Sequence, residues 1–322
     1  MKNTLIEVNN LKTYFPVKQG LFSRVVDHVH AVDDVSLRIR QGETLGLVGE
    51  SGCGKTTLGR TILRLVPATS GEVIYNNEDL LSLGDKQFRD LRGELQIVFQ
   101  DPYSSLNPKR TVSQMLSEIL MVRGGMDRAQ AHDRLNELLI QVGLSPLYAS
   151  RYPHEFSGGQ RQRIAIARAI ALNPKFVVCD EAVSALDVSI QSQVINLLID
   201  IKNEGDMTYL FISHDLKVVQ HISDRVAVMY LGQIVELGPT EPVFERPSHP
   251  YTRALLSAAL TLDKDKNQKR IILEGETPSA TNIPKGCRFS SRCWKSTEKC
   301  KSEAPPLTEI EPGHSASCFY LD

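Results

Sequence analysis

Residues 49–56 read "GESGCGKT", a fit to the phosphate-binding pattern G-x-x-x-x-G-K-[ST]. The context is the one this pattern needs. The apolar run "TLGLVG" (44–49) reads as a buried strand leading into the glycines, and "KTTLGRTILRL" (55–65) reads as a helix leading out. Glycines at 49, 52 and 54 let the backbone curl until its N–H groups point inward, and the helix adds its positive N-terminal end. Lys55 is then placed for the β- and γ-phosphates of a nucleotide and Thr56 for Mg²⁺, with Ser51, Cys53 and Thr57 completing the set.

Outward from this loop, the chain opens with β-like runs "LIEV" (5–8) and "AVDDVSLRI" (31–39). From about Ser104 to about residue 155 the pattern turns helical, in "VSQMLSEILMV" and "AQAHDRLNELLIQVGL", with a Gly124-Gly125 turn between them. From Phe156 strands and helices alternate again. A helix "GQRQRIAIARAIAL" precedes buried-type strands "KFVVCDE" and "TYLFISHD", and the helix between those strands puts Ile190, Val194, Leu197 and Ile201 on one face. This alternation predicts a parallel sheet with helices on both sides. After Pro242 come a short helix "YTRALLSAAL", a charged low-complexity run "DKDKNQKR" (263–270) and a cysteine-containing tail. The expected fold class is α/β: a P-loop NTPase core with an N-terminal antiparallel β subdomain, an inserted helical subdomain at about 104–155 and a small Cys-rich C-terminal tail.

Composition narrows the function classes. The 322 residues are 41% hydrophobic and 23% charged, ordinary for a globular chain of about two domains. A formal net charge of −1 gives no global positive field for nucleic acid or anionic lipid, so no nucleic-acid partner is expected. "MKNTLIEVNNLKTYF" has no signal-peptide core, and no segment approaches the roughly 18 apolar residues of a spanning helix. The expectation is a cytosolic chain that reaches a membrane only through partners.

A metal-bound phosphate needs a carboxylate, and "FVVCDE" supplies an apolar strand ending in Asp180 and Glu181. Ligands of open parallel sheets sit beyond the carboxyl ends of the strands, where Asp180 can hold Mg²⁺ and Glu181 can orient or deprotonate a water. "FSGGQRQR" (156–163) then reads as a second anion-seeking helix start, with Ser157 as the N-cap. A nucleotide already wrapped by Gly49–Thr56 has no need of it, so it makes sense as a contribution to another subunit's nucleotide.

Together these residues resemble the ATP-binding-cassette ATPases, in which "FSGGQ" is similar to the signature motif, about 100 residues after the phosphate loop and about 20 before the acidic strand. The resemblance implies that Ser157, Gly158, Gly159 and Gln160 face the nucleotide of an opposing subunit, and that Asp187 in "SALD" crosses to the same place. It gives Gln100 in "QIVFQDP" a place at Mg²⁺ and in the link to the transmembrane partner. It makes His214 in "FISHD" the switch histidine at the γ-phosphate and Phe15, in preference to Tyr14, the residue that stacks on adenine. Glu181, His214, Gln100 and Lys55 form the implied catalytic set. Ala182 departs from the proline of many relatives, which bears on loop stiffness more than on chemistry.

Within that family, "FPVKQGLF", "QDPYSSLNPKR", "EAVSALDVSIQ" and above all "HPYTRALLSA" resemble the oligopeptide and dipeptide import ATPases. The implied division is a cassette at 1–245 and an importer-type extension at 246–322. The implied partners are a second, different ATPase subunit, two transmembrane permease subunits and an extracytoplasmic substrate-binding protein, with this chain peripheral on the cytoplasmic face of the inner membrane. Related importers of nickel or glutathione share the tail. A soluble cassette ATPase acting on DNA or ribosomes fits less well, because the chain has one cassette, no heptads and no basic excess. A non-enzymatic metal-binding regulator would not need Lys55, Glu181 and His214 together.

Cys287, Cys293, Cys300 and Cys318 are spaced C-x5-C-x6-C-x17-C. Cytosolic thiols stay reduced, so these read first as metal ligands, and four thiolates suit tetrahedral zinc or an iron–sulfur cluster. The missing tight pair speaks mildly against zinc, and the spacing does not match common ferredoxins. The resemblance to peptide-import ATPases implies a [4Fe-4S] cluster on all four, structural or oxygen-sensing. Cys53 and Cys179 lie inside the nucleotide motifs and read as packing residues.

Overall fold

A computed structural model describes residues 3–20, 23–260, 271–273 and 275–321. The charged run at 263–270, and Leu21 and Phe22 of "FPVKQGLF", lie outside the described residues. By compactness the chain divides into two units. One comprises Arg40–Glu43 and Leu83–Ile212, the other Asn3–Ile39, Thr44–Ser82 and Ser213–Asp322.

The unit that carries the phosphate loop contains an antiparallel sheet in the order Arg24–Arg40, Thr4–Gln19, Ser70–Tyr75, Glu78–Asp79. Its register pairs Ile6 with Tyr75 and Val8 with Val73. The buried side chains Ile6, Val8, Leu11 and Thr13 define its inner face. Asn76 and Asn77, both at positive φ (48° and 66°), make the two-residue turn into Glu78–Asp79, a conformation asparagine tolerates well.

In the same unit, strands run in the order Thr308–Glu311, His314–Ala316, Gln233–Pro239, Arg225–Tyr230, Thr44–Val48. Thr44–Val48 is parallel to Arg225–Tyr230 and buried at every position, as a strand covered on both faces must be. The remaining pairs are antiparallel, so the expected parallel sheet is mixed here. The reason is local: only Leu231 and Gly232, at φ 43° and 83°, separate Arg225–Tyr230 from Gln233–Pro239, and a two-residue loop joins antiparallel strands only. The end of the cysteine tail therefore joins a sheet.

The other unit is built on three parallel strands, Thr208–Ile212, Phe176–Asp180 and Leu95–Val98, with Val178 opposite both Leu210 and Ile97. Helix Val112–Val122 starts at Thr111 in a capping box with Gln114 and buries Val112, Met115, Leu116 and Leu120. Arg128–Gln141 starts the same way at Asp127 and buries Ala131, Leu135, Leu138 and Leu139. Between them Gly124 is required, since a Cβ there would lie 2.5 Å from the Leu120 carbonyl oxygen. Helices Gly158–Ile170 and Val188–Gly205 also belong to this unit.

Candidate functional site

The phosphate-type loop is shaped by its glycines. Gly49, Gly52 and Gly54 sit at φ 153°, 79° and 108°. A Cβ on Gly49 would stand 2.2 Å from the Met229 carbonyl oxygen and one on Gly54 2.0 Å from that of Ala31, so side chains are excluded at both. Gly54 occupies the N-cap of helix Lys55–Ile62, with no side-chain cap. That leaves the first helical N–H groups aimed into the loop. Lys55 is buried at 4% exposure, its Nζ donating to the carbonyl oxygens of Gly49 and Glu50 at 2.9 Å each. Cys53 is buried and burial raises its thiol pKa, in keeping with a packing residue. In the same unit His214 is exposed just beyond strand Thr208–Ile212, and Asp215 caps the following helix by accepting from Lys217 and Val218 N–H. Phe15 is 39% exposed, whereas the Tyr14 ring stacks against His30 at 4.0 Å and its hydroxyl donates to Asp33.

In the other unit, Asp180 ends strand Phe176–Asp180 at 1% exposure, and Glu181 follows at φ 49°, rare for a residue with a Cβ. Three bonds fix that conformation: Glu181 N–H donates to Ile212 O at 3.0 Å, and Ser184 donates to Glu181 O through N–H (3.1 Å) and Oγ (3.0 Å). Gln100 Nε2 donates to Glu181 Oε2 at 3.0 Å, so the structure brings these two together. Ser157 Oγ accepts from Gln160 N–H at 3.4 Å while Gln160 Oε1 accepts from Ser157 N–H at 3.1 Å. Ser157 and Gly158 are exposed, and Gly159 packs under Ile190, where a Cβ would come to 2.4 Å. Asp187 stands exposed at the N-cap of Val188–Gly205 without a side-chain cap bond. Cys179 is fully buried and burial pushes its thiol up to about 12.

Comparison with known proteins decides the family. Residues 32–184 match the ABC transporter family and residues 235–300 the oligopeptide/dipeptide transporter C-terminal region. The chain is 49% identical to the oligopeptide transport ATP-binding protein AppF of Bacillus subtilis, over 98% of this chain and 97% of that protein. It belongs to the oligopeptide/dipeptide branch of the ABC transporter ATP-binding subunits. The dipeptide transport ATP-binding protein DppF of Haemophilus influenzae is 48% identical over 99% of this ATP-binding subunit and 97% of its own length. Among solved structures, the post-hydrolysis dimer of the ATP-binding cassette MJ0796, bound to ADP and Pi, superposes with TM-score 0.65 at 28% identity, covering 73% of this chain and 99% of that one.

The C-terminal region of this ATP-binding subunit reaches back to its phosphate loop. Arg292 makes a forked ion pair with Glu50, Nη1 to Oε2 at 2.9 Å and Nη2 to Oε1 at 3.2 Å. Tyr251 of "HPYT" is fully buried, and its hydroxyl accepts the Glu50 N–H at 2.8 Å. Arg288 donates to the Leu231 carbonyl and to Asp33, the partner of Tyr14. Burial would push the Asp33 carboxyl up, but Tyr14 and Arg288 outweigh it and hold it below its ordinary value. Farther along, Glu236, wholly buried, accepts from Ser248 N–H (2.8 Å) and His249 N–H (2.9 Å) and lies 2.8 Å from His314 Nε2. Glu50, Arg292, Tyr251 and Glu236 escape sequence reasoning, because each depends on a partner 12 to 242 positions away.

The four tail cysteines are free thiols that line one pocket together with Phe289 and His249. Burial raises Cys287 to about 11 and raises Cys293 and Cys318 above the ordinary thiol value. Among the described residues no group of three or more His, Cys, Asp or Glu is arranged to hold a metal ion. Four thiols thus border one pocket without being drawn to a common centre. Among the described residues no helix is long and apolar enough to cross a membrane.

Proposed function

We propose that this ATP-binding subunit drives import of oligopeptides or dipeptides, working at the cytoplasmic face of the membrane with two permease subunits, a second and different ATPase subunit and an extracytoplasmic binding protein. The observation that carries the reading is near-full-length similarity to AppF and DppF, whose names specify oligopeptide and dipeptide transport, reinforced by the match over 235–300. The cassette is residues 1–245, with its helical subdomain at about 104–155, and the importer-type extension is residues 246–322.

In this reading Gly49–Thr57 wraps the ATP phosphates through backbone N–H groups, with Lys55 released from the Gly49 and Glu50 carbonyls to the β- and γ-phosphates. Thr56, Gln100 and Asp180 would each supply an oxygen of the kind, hydroxyl, amide or carboxylate, that suits Mg²⁺, a hard cation. Glu181, kept in place by Gln100 and Ser184, accepts the proton of the attacking water. His214 contacts the γ-phosphate and Phe15 the adenine. Ser157 to Gln160 and Asp187 serve the nucleotide of the opposing subunit, so hydrolysis requires two chains. Closing the pair excludes water, where fixed dipoles stabilise transferring charge most effectively. The four cysteines are assigned to a [4Fe-4S] cluster, supported by four free thiols around one pocket. Its chemistry there would be structural, joining residues 287 to 318.

Reconstitution tests the function. Proteoliposomes holding the permease pair and both ATPase subunits should take up labelled peptide and hydrolyse ATP faster when loaded binding protein is added. Vesicles that hydrolyse ATP with no response to peptide would refute the cargo. Anaerobically purified chain with zinc in place of iron would refute the cluster alone.

A further inference from the structure

Every polar atom of Glu50 is engaged. Its N–H meets Tyr251 Oη at 2.8 Å and its carbonyl accepts from Lys55 Nζ at 2.9 Å. Its carboxylate accepts from Arg292 Nη1 and Nη2, and from Thr277 Oγ1 at 3.0 Å. Arg292 is 9% exposed and Glu50 29%, so the pair is only lightly screened by water. Arg288, four residues earlier, fastens the same stretch of the extension to the Leu231 carbonyl and Asp33.

Glu50 is an odd neighbour for a polyanion. It stands one residue after Gly49 in a loop shaped to receive three phosphates, and an unpaired carboxylate there would repel them. Pairing with a planar guanidinium cancels that charge and fixes its geometry in a way a single ammonium cannot. The hold is also mechanical, because the Glu50 carbonyl is one of two resting sites for the Lys55 ammonium. A shift of Glu50 would move the lysine and the turn of the loop together.

We propose that Arg292 and Tyr251, both in the C-terminal extension, are positioning residues for ATP binding: Arg292 neutralises and anchors the Glu50 carboxylate, and Tyr251 anchors its backbone N–H. The proposal rests on the reading of residues 49–56 as the ATP phosphate site and is independent of the cargo. It gives the "HPYT" motif and the run between Cys287 and Cys293 a task at the nucleotide.

The test is ATP affinity of the purified full chain, measured by equilibrium dialysis with radiolabelled ATP, beside thermal melting. Arg292→Ala should weaken ATP binding about tenfold, with adenosine affinity unchanged because adenosine carries no phosphate. Adding Glu50→Gln to Arg292→Ala should return affinity to within about threefold of the parent, since the two residues are coupled. Tyr251→Phe removes only a hydroxyl and should cost about threefold, giving a readout if Arg292→Ala folds poorly. ATP affinity within about twofold of the parent in both Arg292→Ala and Tyr251→Phe would overturn the proposal. Equal losses for ATP and adenosine, or no rescue by Glu50→Gln, would also overturn it and leave Arg292 a merely structural residue. Lys55→Ala is the control for the underlying reading: if it binds ATP as the parent does, residues 49–56 are not the phosphate site.

Discussion

Helices Lys55–Ile62 and Gly158–Ile170 both begin at glycine-rich turns suited to an anion, yet they are held in opposite ways. The first has no side-chain cap; its turn is made by Gly54 in a left-handed conformation and braced from a distance by Tyr251 and Arg292. The second closes on itself, Ser157 and Gln160 exchanging bonds across one turn. A loop that encloses its ligand with backbone has no side chains to spare for its own support, so the support comes from elsewhere in the chain. A capped helix start needs only local sequence.

The largest expected effect breaks the comparison at its glycines. Gly54→Ala forces a Cβ to 2.0 Å from the Ala31 carbonyl at φ 108°, and should abolish measurable ATP binding. Gly158→Ala brings its Cβ no nearer than 3.8 Å to Leu186, and should leave the melting free energy within about 1 kcal/mol of the parent. Next, Glu181→Gln should keep ATP bound while slowing hydrolysis by ~10²-fold, measured as phosphate release in the assembled transporter. Unchanged turnover there would remove Glu181 from the role of base.

Acid should act on the remote support and spare the local cap. Burial depresses His249 to about 4, and its Nδ1 accepts the Tyr251 N–H at 3.0 Å, which a protonated ring cannot do. The unfolded chain takes up that proton near pH 6.5, so this contribution is whole above 6.5 and is lost as pH falls from 6.5 to about 4, up to about 3 kcal/mol. Urea unfolding of the parent at pH 7 and pH 5 should reveal it, and His249→Asn, which keeps an acceptor but does not titrate, should flatten the difference. The smallest effect is at the cap itself: Ser157→Ala should cost about 1 kcal/mol by denaturant titration at any of these pH values.

Legibility in the sequence followed the same division. Helix Val112–Val122 coincides with its apolar pattern, and the Ser157 cap is present as the motif implied, because caps and amphipathic faces are set within a few residues. The buried strands Phe176–Asp180 and Thr208–Ile212 were equally legible from continuous apolar runs. The hairpin Arg225–Tyr230 with Gln233–Pro239 was not, since Leu231-Gly232 lacks the usual turn dipeptides and its strands are buried on both faces without alternation. Among the site residues, separate motifs single out Gln100 and Glu181, while the bond between them is visible only in the structure. Glu50 with Arg292 did not, being a pairing across 242 positions that no local pattern encodes.

The last two strands also bear on solubility. His314–Ala316 pairs with Glu236 and Leu237, and Thr308–Glu311 then forms the outer border, mostly exposed and carrying Glu309 and Glu311. Acidic side chains on a short border strand discourage another molecule from adding to it. A chain shortened before Thr308 would instead present the largely buried Gln233–Pro239 with open N–H and C=O groups, a template for intermolecular pairing. Aggregation of such a truncation is therefore expected from the unprotected border alone, whatever Cys318 holds.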